Sequence, residues 1–467
     1  MDYVSTRGAA PTLGFADALL AGLARDGGLY LPLAVPHLPP DAIRALRGLP
    51  YPEAAARIMA PFVDEDFDPD EIKSLTAVAY AGFRHAAVAP LTQVDDNLFS
   101  LELFHGPTLA FKDFAMQWLG QAMNCVLRRR GARATIIGAT SGDTGASAIE
   151  AFAEQSQVEM FILYPQGRVS DVQRRQMTTV DRRNVHALAI QGSFDDCQRI
   201  VKELFGDLAF RDEMGLSGVN SINWARILAQ IVYYFVAAVA LGAPDRPVSF
   251  AVPTGNFGDV LAGYYAKRMG LPIERLIIAT NENDILVRTL ASGRYAPKGV
   301  KATQSPSMDI QVSSNFERLL FEAAGRDPKE VVARMNDLAK EGSFTIPASA
   351  LNRIRADFDA FRVDEVACAD EMGRVYRESS AIIDPHSAVG VNAARKALAA
   401  APMTPVIALG TAHPAKFPDA VERATGVRPR LPERLSDLMQ RKEAIVVLPN
   451  DGRAVADYLR QTARAAA

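Results

Sequence analysis

Lys112 is the residue whose surroundings point most directly to chemistry. It lies in Leu103-Phe104-His105-Gly106-Pro107-Thr108-Leu109-Ala110-Phe111-Lys112-Asp113-Phe114, among Leu109, Phe111 and Phe114 rather than polar neighbours. Partial burial there disfavours an ammonium, as does the positive end of a helix expected to begin near Asp113. A lysine held partly unprotonated is a nucleophilic amine able to form an imine. The same segment also reads as a lysine snorkelling beside an amphipathic helix. Two loops have the composition of anion sites: Ala139-Thr140-Ser141-Gly142-Asp143-Thr144-Gly145 and Pro253-Thr254-Gly255-Asn256-Phe257-Gly258-Asp259. Small residues let backbone N–H groups approach an anion, and a following helix adds positive partial charge. Neither loop continues into Gly-Lys-Ser/Thr and neither contains GxGxxG, so nucleotide fingerprints are absent. Either loop alone also reads as an ordinary strand–helix turn; the two together suggest two anions, a phosphate and a carboxylate. On composition alone Arg226 reads as a helix-surface arginine paired to a carboxylate.

The elements that must position these residues follow from the apolar pattern. Short apolar runs at 134–138, 158–164, 185–190, 248–252, 276–280 and 406–409 suit strands buried on both faces. Helical stretches at 113–130, 144–156, 197–205, 223–241 and 258–269 fall between or beside them, and Gly131 and Gly270 are placed as helix stops. Such alternation predicts a doubly wound α/β protein with ligands beyond the carboxyl ends of the strands. The first 85 or so residues read as a mainly helical unit punctuated by Pro32, Pro36, Pro39, Pro40, Pro50, Pro52, Pro61 and Pro69. The expected division is an N-terminal domain over 1–88, a catalytic region over 89–430 with a smaller α/β subdomain at about 130–205 inserted in it, and a polar, small helical appendix over 431–467.

Composition narrows the class. The 467 residues carry 51 Lys+Arg against 54 Asp+Glu, a formal charge of −3, which argues against a nucleic-acid or anionic-membrane partner. Cys125, Cys197 and Cys368 are far apart, with no CxxC and no histidine at zinc-ligand spacing, so no metal is expected. They read as small buried apolar residues of a reducing compartment. No basic region followed by an apolar one opens the chain, and the apolar stretch 227–241 falls short of the roughly 20 residues that span a bilayer. A cytoplasmic enzyme, monomeric or a small homo-oligomer, is the expectation.

Phe111-Lys112-Asp113, Ser141-Gly142-Asp143-Thr144-Gly145 and Gly255-Asn256-Phe257-Gly258 resemble the pyridoxal-phosphate enzymes of fold type II, the tryptophan-synthase-β-like family. Within it the chain is similar to the threonine synthases of microbial and fungal type. The narrower resemblance rests on His105-Gly106-Pro107-Thr108, on Gly192-Ser193-Phe194-Asp195-Asp196-Cys197-Gln198 and on Asn220-Ser221-Ile222-Asn223-Trp224-Ala225-Arg226. Asp384-Pro385-His386, Gly410-Thr411-Ala412-His413-Pro414-Ala415-Lys416-Phe417, Ser5-Thr6-Arg7-Gly8 and Asp26-Gly27-Gly28-Leu29-Tyr30 extend it in order over nearly the whole chain.

The resemblance implies a lyase that converts O-phosphohomoserine and water to threonine and phosphate, the last step of threonine biosynthesis. Lys112 would carry pyridoxal phosphate as an internal aldimine. Gly255, Asn256, Phe257 and Gly258 would cradle its phosphate, and Thr411 would face the pyridine nitrogen. The Ser141–Thr144 loop would hold the substrate carboxylate, with Asp143 near the ring's phenolic oxygen. Asn220, Ser221 and Arg226, with Asn256 also possible, would bind the substrate phosphate. Relatives of the same fold, the cysteine synthases and the serine or threonine dehydratases, commonly have asparagine where this chain has Asp143. An aspartate repels a phenolate unless the two share a proton; Asp143 also reads as a cap accepting N–H bonds at its helix start. Free of the cofactor, Lys112 would be placed to move protons at Cα and Cβ. His105, His386 and His413 read as turn-holding residues, with orientation of the ring as the other reading. A dehydratase of the same fold, whose substrate has no phosphate, and a catalytically silent binding homologue are the competing functions.

Overall fold

Residues 1–463 are described by a computed structural model. The apolar runs become strands covered on both faces: every residue of Val158–Pro165, Val248–Pro253 and Val406–Gly410 is buried, as in parallel sheets flanked by helices. In chain order the strands are β1 (Tyr3–Ser5), β2 (Tyr30–Pro32), β3 (Leu91–Asp95), β4 (Leu98–Glu102), β5 (Ala134–Ala139), β6 (Val158–Pro165), β7 (Val185–Ile190) and β8 (Leu216–Ser217). There follow β9 (Val248–Pro253), β10 (Ile273–Thr280), β11 (Arg294–Tyr295), β12 (Phe344–Thr345), β13 (Phe358–Arg362), β14 (Val406–Gly410) and β15 (Val446–Leu448).

Six strands form one sheet in the order β13-β10-β9-β14-β4-β3, parallel except for β3 against β4. Five form a second, wholly parallel sheet in the order β15-β7-β6-β5-β8. The expected doubly wound α/β class holds. Apolar runs alone do not reveal β4, because Leu98–Glu102 includes Ser100 and Glu102, yet it lies between β14 and β3 and leads straight into the Lys112 segment. The polar tail also does more than form a helix: it pairs β15 with β7 and seats Gly452–Thr462 through buried Val455 and Leu459.

The N-terminal segment is mainly helical, with Phe15–Ala21, Pro40–Arg44, Tyr51–Val63 and Pro69–Tyr80. Pro40, Pro52 and Pro69 occupy first turns, where a missing N–H costs nothing, whereas Pro61 sits inside Tyr51–Val63 near its end. This segment packs on Trp224–Ala240, a helix buried all round except at Val236 and Ala240. Tyr3 lies 6.2 Å from Trp224, ring centre to ring centre. Among the described residues no helix is long and apolar enough to cross a membrane.

Candidate active site

The loops leaving the carboxyl ends of β4, β5, β9 and β14 converge on one cavity of about 720 Å³, its opening to solvent included. This is where ligands bind in doubly wound sheets. Lys112 enters it as the first residue of the helix Lys112–Arg129. The preceding turn is fixed by Asp113, whose carboxylate accepts from the Thr108 N–H at 2.8 Å and from the Thr108 hydroxyl at 2.6 Å. Only glycine fits at Gly106, since a Cβ there would lie 2.5 Å from Asp113 Oδ2. The Phe111 N–H donates to the Thr411 carbonyl at 2.9 Å and the His413 N–H to that of Leu109 at 3.0 Å, which stitches the lysine to the loop after β14. The Lys112 side chain is 12% exposed. Burial pulls its pKa below the ordinary lysine value; Asp143 opposes that, while Lys416 and Arg226 add to it.

The 255–258 turn has the form of an anion cradle. Phe257 adopts a left-handed conformation at φ 63° and starts the helix Gly258–Arg268 with no side-chain cap. The N–H groups of Gly255, Asn256, Phe257 and Gly258 find no acceptor among the described residues. The Phe257 ring points away, into the core against Phe316 and Phe358, so this residue offers the site its backbone only. On the opposite wall, Arg226 is 3% exposed, donates to the Val219 carbonyl at 3.0 Å and leaves Nε unbonded. It has no carboxylate at ion-pair distance among the described residues, and burial lowers its pKa to about 10. Gln230 Oε1, one turn along the same helix, and Asp259 Oδ2 are also buried without a partner on this cavity's wall. Burial raises Asp259 to about 6 even though the Tyr233 and Tyr234 hydroxyls donate to it.

Asp143 does not cap its helix. Its carboxylate accepts from Gln173 Nε2 at 2.8 Å, pairs with Lys416 at 2.7 Å and with Lys112 at 3.7 Å, and the Ser307 hydroxyl lies 3.4 Å away. Burial acts to raise its pKa, but the two lysines and Gln173 hold it far below the usual carboxylate range. Lys416 and Ser307 carried no role in the sequence reading. His386, read as holding a turn with orientation of the ring as the other reading, lines the cavity wall: its Nδ1 lies 2.6 Å from Asp384 and its Nε2 accepts from the Ser307 N–H, so the aspartate side carries the proton. Asp384 also accepts from Ser387, whose hydroxyl receives the Thr411 N–H. His413 holds a turn by accepting from the Ala415 N–H, and burial pushes its pKa down to about 4. His105 pairs with Glu102 at 2.7 Å.

The cavity thus brings together Lys112, Asp143, Thr144, Ser221, Arg226, the 255–258 turn and Thr411. It does not bring Ser141 or Asn220 onto its wall; both are exposed on the rim loops. The donor set fits pyridoxal phosphate: a partly desolvated amine for an aldehyde, four unpaired N–H groups for a phosphate, and a Thr411 hydroxyl with no bond among the described residues for a ring nitrogen.

Three family models match the chain: "Threonine synthase N terminus" over residues 2–80, "Pyridoxal-phosphate dependent enzyme" over 84–356 and "Threonine synthase, C-terminal" over 387–459. A threonine synthase of Pseudomonas aeruginosa is 50% identical over 99% of this chain and 98% of its own. The crystal structure of a threonine synthase with bound pyridoxal phosphate from Brucella melitensis is 59% identical, covers all of both chains and superposes with a TM-score of 0.97. The yeast threonine synthase structure is 41% identical over 99% of this chain and 98% of its own, with a TM-score of 0.93.

Proposed function

The chain belongs to the threonine synthase family, and from that membership we propose that it converts O-phosphohomoserine and water to threonine and phosphate with pyridoxal phosphate held on Lys112. The observation that carries this reading is the Arg226 guanidinium, buried on the cavity wall with one nitrogen unbonded and no carboxylate at ion-pair distance among the described residues. A buried cation of this kind is costly unless an anion meets it. A phosphorylated substrate supplies that anion; the substrate of a dehydratase does not.

When bound, pyridoxal phosphate supplies the electron sink for charge that develops along the substrate carbons. The chain's own groups bind, orient and move protons. The N–H groups of Gly255 to Gly258 would hold the cofactor phosphate, and the neutral Thr411 hydroxyl would face the ring nitrogen, with Asp143 toward the phenolic oxygen. The 141–144 loop takes the substrate carboxylate, while Arg226, Ser221 and Asn220, with Asn256, take its phosphate. Because Ser141 and Asn220 lie on exposed loops, this assignment has those loops turn inward over the substrate. Lys112 removes a proton from Cα and then from Cβ, tasks that need the free amine its burial favours. Phosphate then leaves from the γ carbon, a proton is returned to that carbon, water adds as hydroxyl at β and Cα regains its proton, so two protons are removed and two returned while the leaving group and the incoming water occupy different carbons.

We place the enzyme in the cytoplasm, as a monomer or small homo-oligomer, with no nucleic-acid or membrane partner; the near-neutral charge and three unpaired cysteines support this. The test is an assay of the purified chain with O-phosphohomoserine. Equimolar phosphate and threonine are expected; deamination of free threonine without that reaction would overturn the proposal in favour of a dehydratase.

A further inference from the structure

Lys416 has no exposed surface, although it carries a full ammonium's worth of donors. It ends the short turn Pro414–Lys416 after β14, and its Nζ donates to Asp143 Oδ1 at 2.7 Å and to the Thr108 carbonyl at 2.8 Å. The other oxygen of Asp143 faces Lys112 at 3.7 Å. One carboxylate therefore stands between two lysines, and the lysine it binds more closely is the one outside the cavity. A charge-assisted hydrogen bond at the shorter distance is the stronger of the two contacts. The Thr108 carbonyl is shared with Gln176 Nε2 at 3.0 Å, so Lys416 also ties the turn before Lys112 to the 141–144 loop.

This arrangement resolves the difficulty of an aspartate beside a phenolic oxygen: the charge of Asp143 is already met from behind. We infer that Lys416 is a positioning residue for the reaction, whose ammonium takes the shorter contact with Asp143 as its counter-ion and so weakens the hold of that carboxylate on Lys112, which favours the free amine. The inference rests on Lys112 being the working amine of the proposed function. The charged groups around Lys112 are Asp143 of the helix Asp143–Phe152, Lys416 of the turn after β14, Arg226 of Trp224–Ala240 and Asp259 of Gly258–Arg268. Removing Lys416 removes a neighbouring cation and also frees the carboxylate, and both changes favour the protonated form of Lys112.

The test measures the titration of Lys112 in the cofactor-free full-length chain by trace acetylation with acetic anhydride across a pH series, followed by quantitation of the Lys112 peptide. Lys416→Met and the milder Lys416→Gln should each raise the midpoint by about one pH unit or more, so that roughly tenfold less free amine is present at a given pH below it. Lys416→Arg should keep the wild-type midpoint, and Asp143→Asn added to Lys416→Met should bring the raised midpoint back down. An unchanged midpoint in both neutral variants, or a double variant that titrates like Lys416→Met, overturns the inference. Borohydride reduction of the wild-type holoenzyme tests the underlying reading separately. Cofactor fixed on another lysine would refute Lys112 as the carrier, whatever the acetylation series shows.

Discussion

Arg226 and Asp259 face the same cavity with opposite electrostatic problems. Arg226 is a buried cation awaiting an anion, so Arg226→Ala should leave cofactor binding intact and raise KM for the phosphorylated substrate. The loss of charge-assisted bonds amounts to about 2–3 kcal/mol, or roughly 30- to 150-fold in kcat/KM. Steady-state kinetics and the visible absorption of the cofactor check the two halves of that statement. Asp259 is a buried carboxyl whose folded-state pKa, about 6, lies above the usual carboxylate value. Its favourable contribution is complete below the unfolded pKa and is lost as pH rises through the folded one. Asp259→Asn keeps an acceptor for the two tyrosines without the charge, so its stability advantage over wild type should grow by about 1–2 kcal/mol between about pH 5 and about pH 8. Urea unfolding at the two pH values measures it. At this scale the sequence was informative where chemistry is local. Lys112 announces itself by its apolar neighbours, and the 255–258 turn by its composition. Lys416, Ser307 and His386 do not, because their significance comes from partners distant in the chain: Asp143 for Lys416, and a Ser307 N–H for His386.

The strands and helices that carry these residues are legible for a different reason. A strand buried on both faces is largely apolar, so β6, β9 and β14 stand out as apolar runs broken only by Glu159 and Ser249 near their starts. The β3–β4 hairpin and β13 have mixed composition, and only their neighbours make them strands; β4 in particular needs β14 beside it. Loop geometry gives the sharpest prediction here. A Cβ on Gly255 would come 2.8 Å from the Ser307 carbonyl oxygen, a backbone atom that cannot simply rotate away. Gly255→Ala should therefore displace the turn and weaken pyridoxal-phosphate retention at least tenfold, about 1.4 kcal/mol. Gly206 is the control, since a Cβ there meets nothing within 4 Å and Gly206→Ala should bind the cofactor like wild type. Absorption titration of the cofactor-free chains distinguishes the two.

Across the whole molecule, distant segments are tied to the site by buried polar groups. Arg318 donates to the Tyr30 carbonyl at 3.0 Å, to that of Ile222 at 2.5 Å and to Asn315, whose side chain in turn holds the Ser221 and Asn256 carbonyls. The N-terminal segment is thereby coupled to the 255–258 turn, a connection that no local pattern in the sequence reveals. The tail is joined to the second sheet in the same long-range way, through β15 and the buried Val455 and Leu459. Deleting residues 445–467 should cost about 3–6 kcal/mol from those two side chains alone, seen as a lower urea midpoint; an unchanged midpoint would show the tail to be dispensable. The proposed function stands on the amine of Lys112 carrying pyridoxal phosphate. Borohydride reduction of the holoenzyme followed by peptide mapping measures this most directly. The pyridoxyl group is expected on the peptide containing Lys112. Recovery on Lys416, 2.7 Å from the same aspartate, or on any lysine outside the cavity would contradict it.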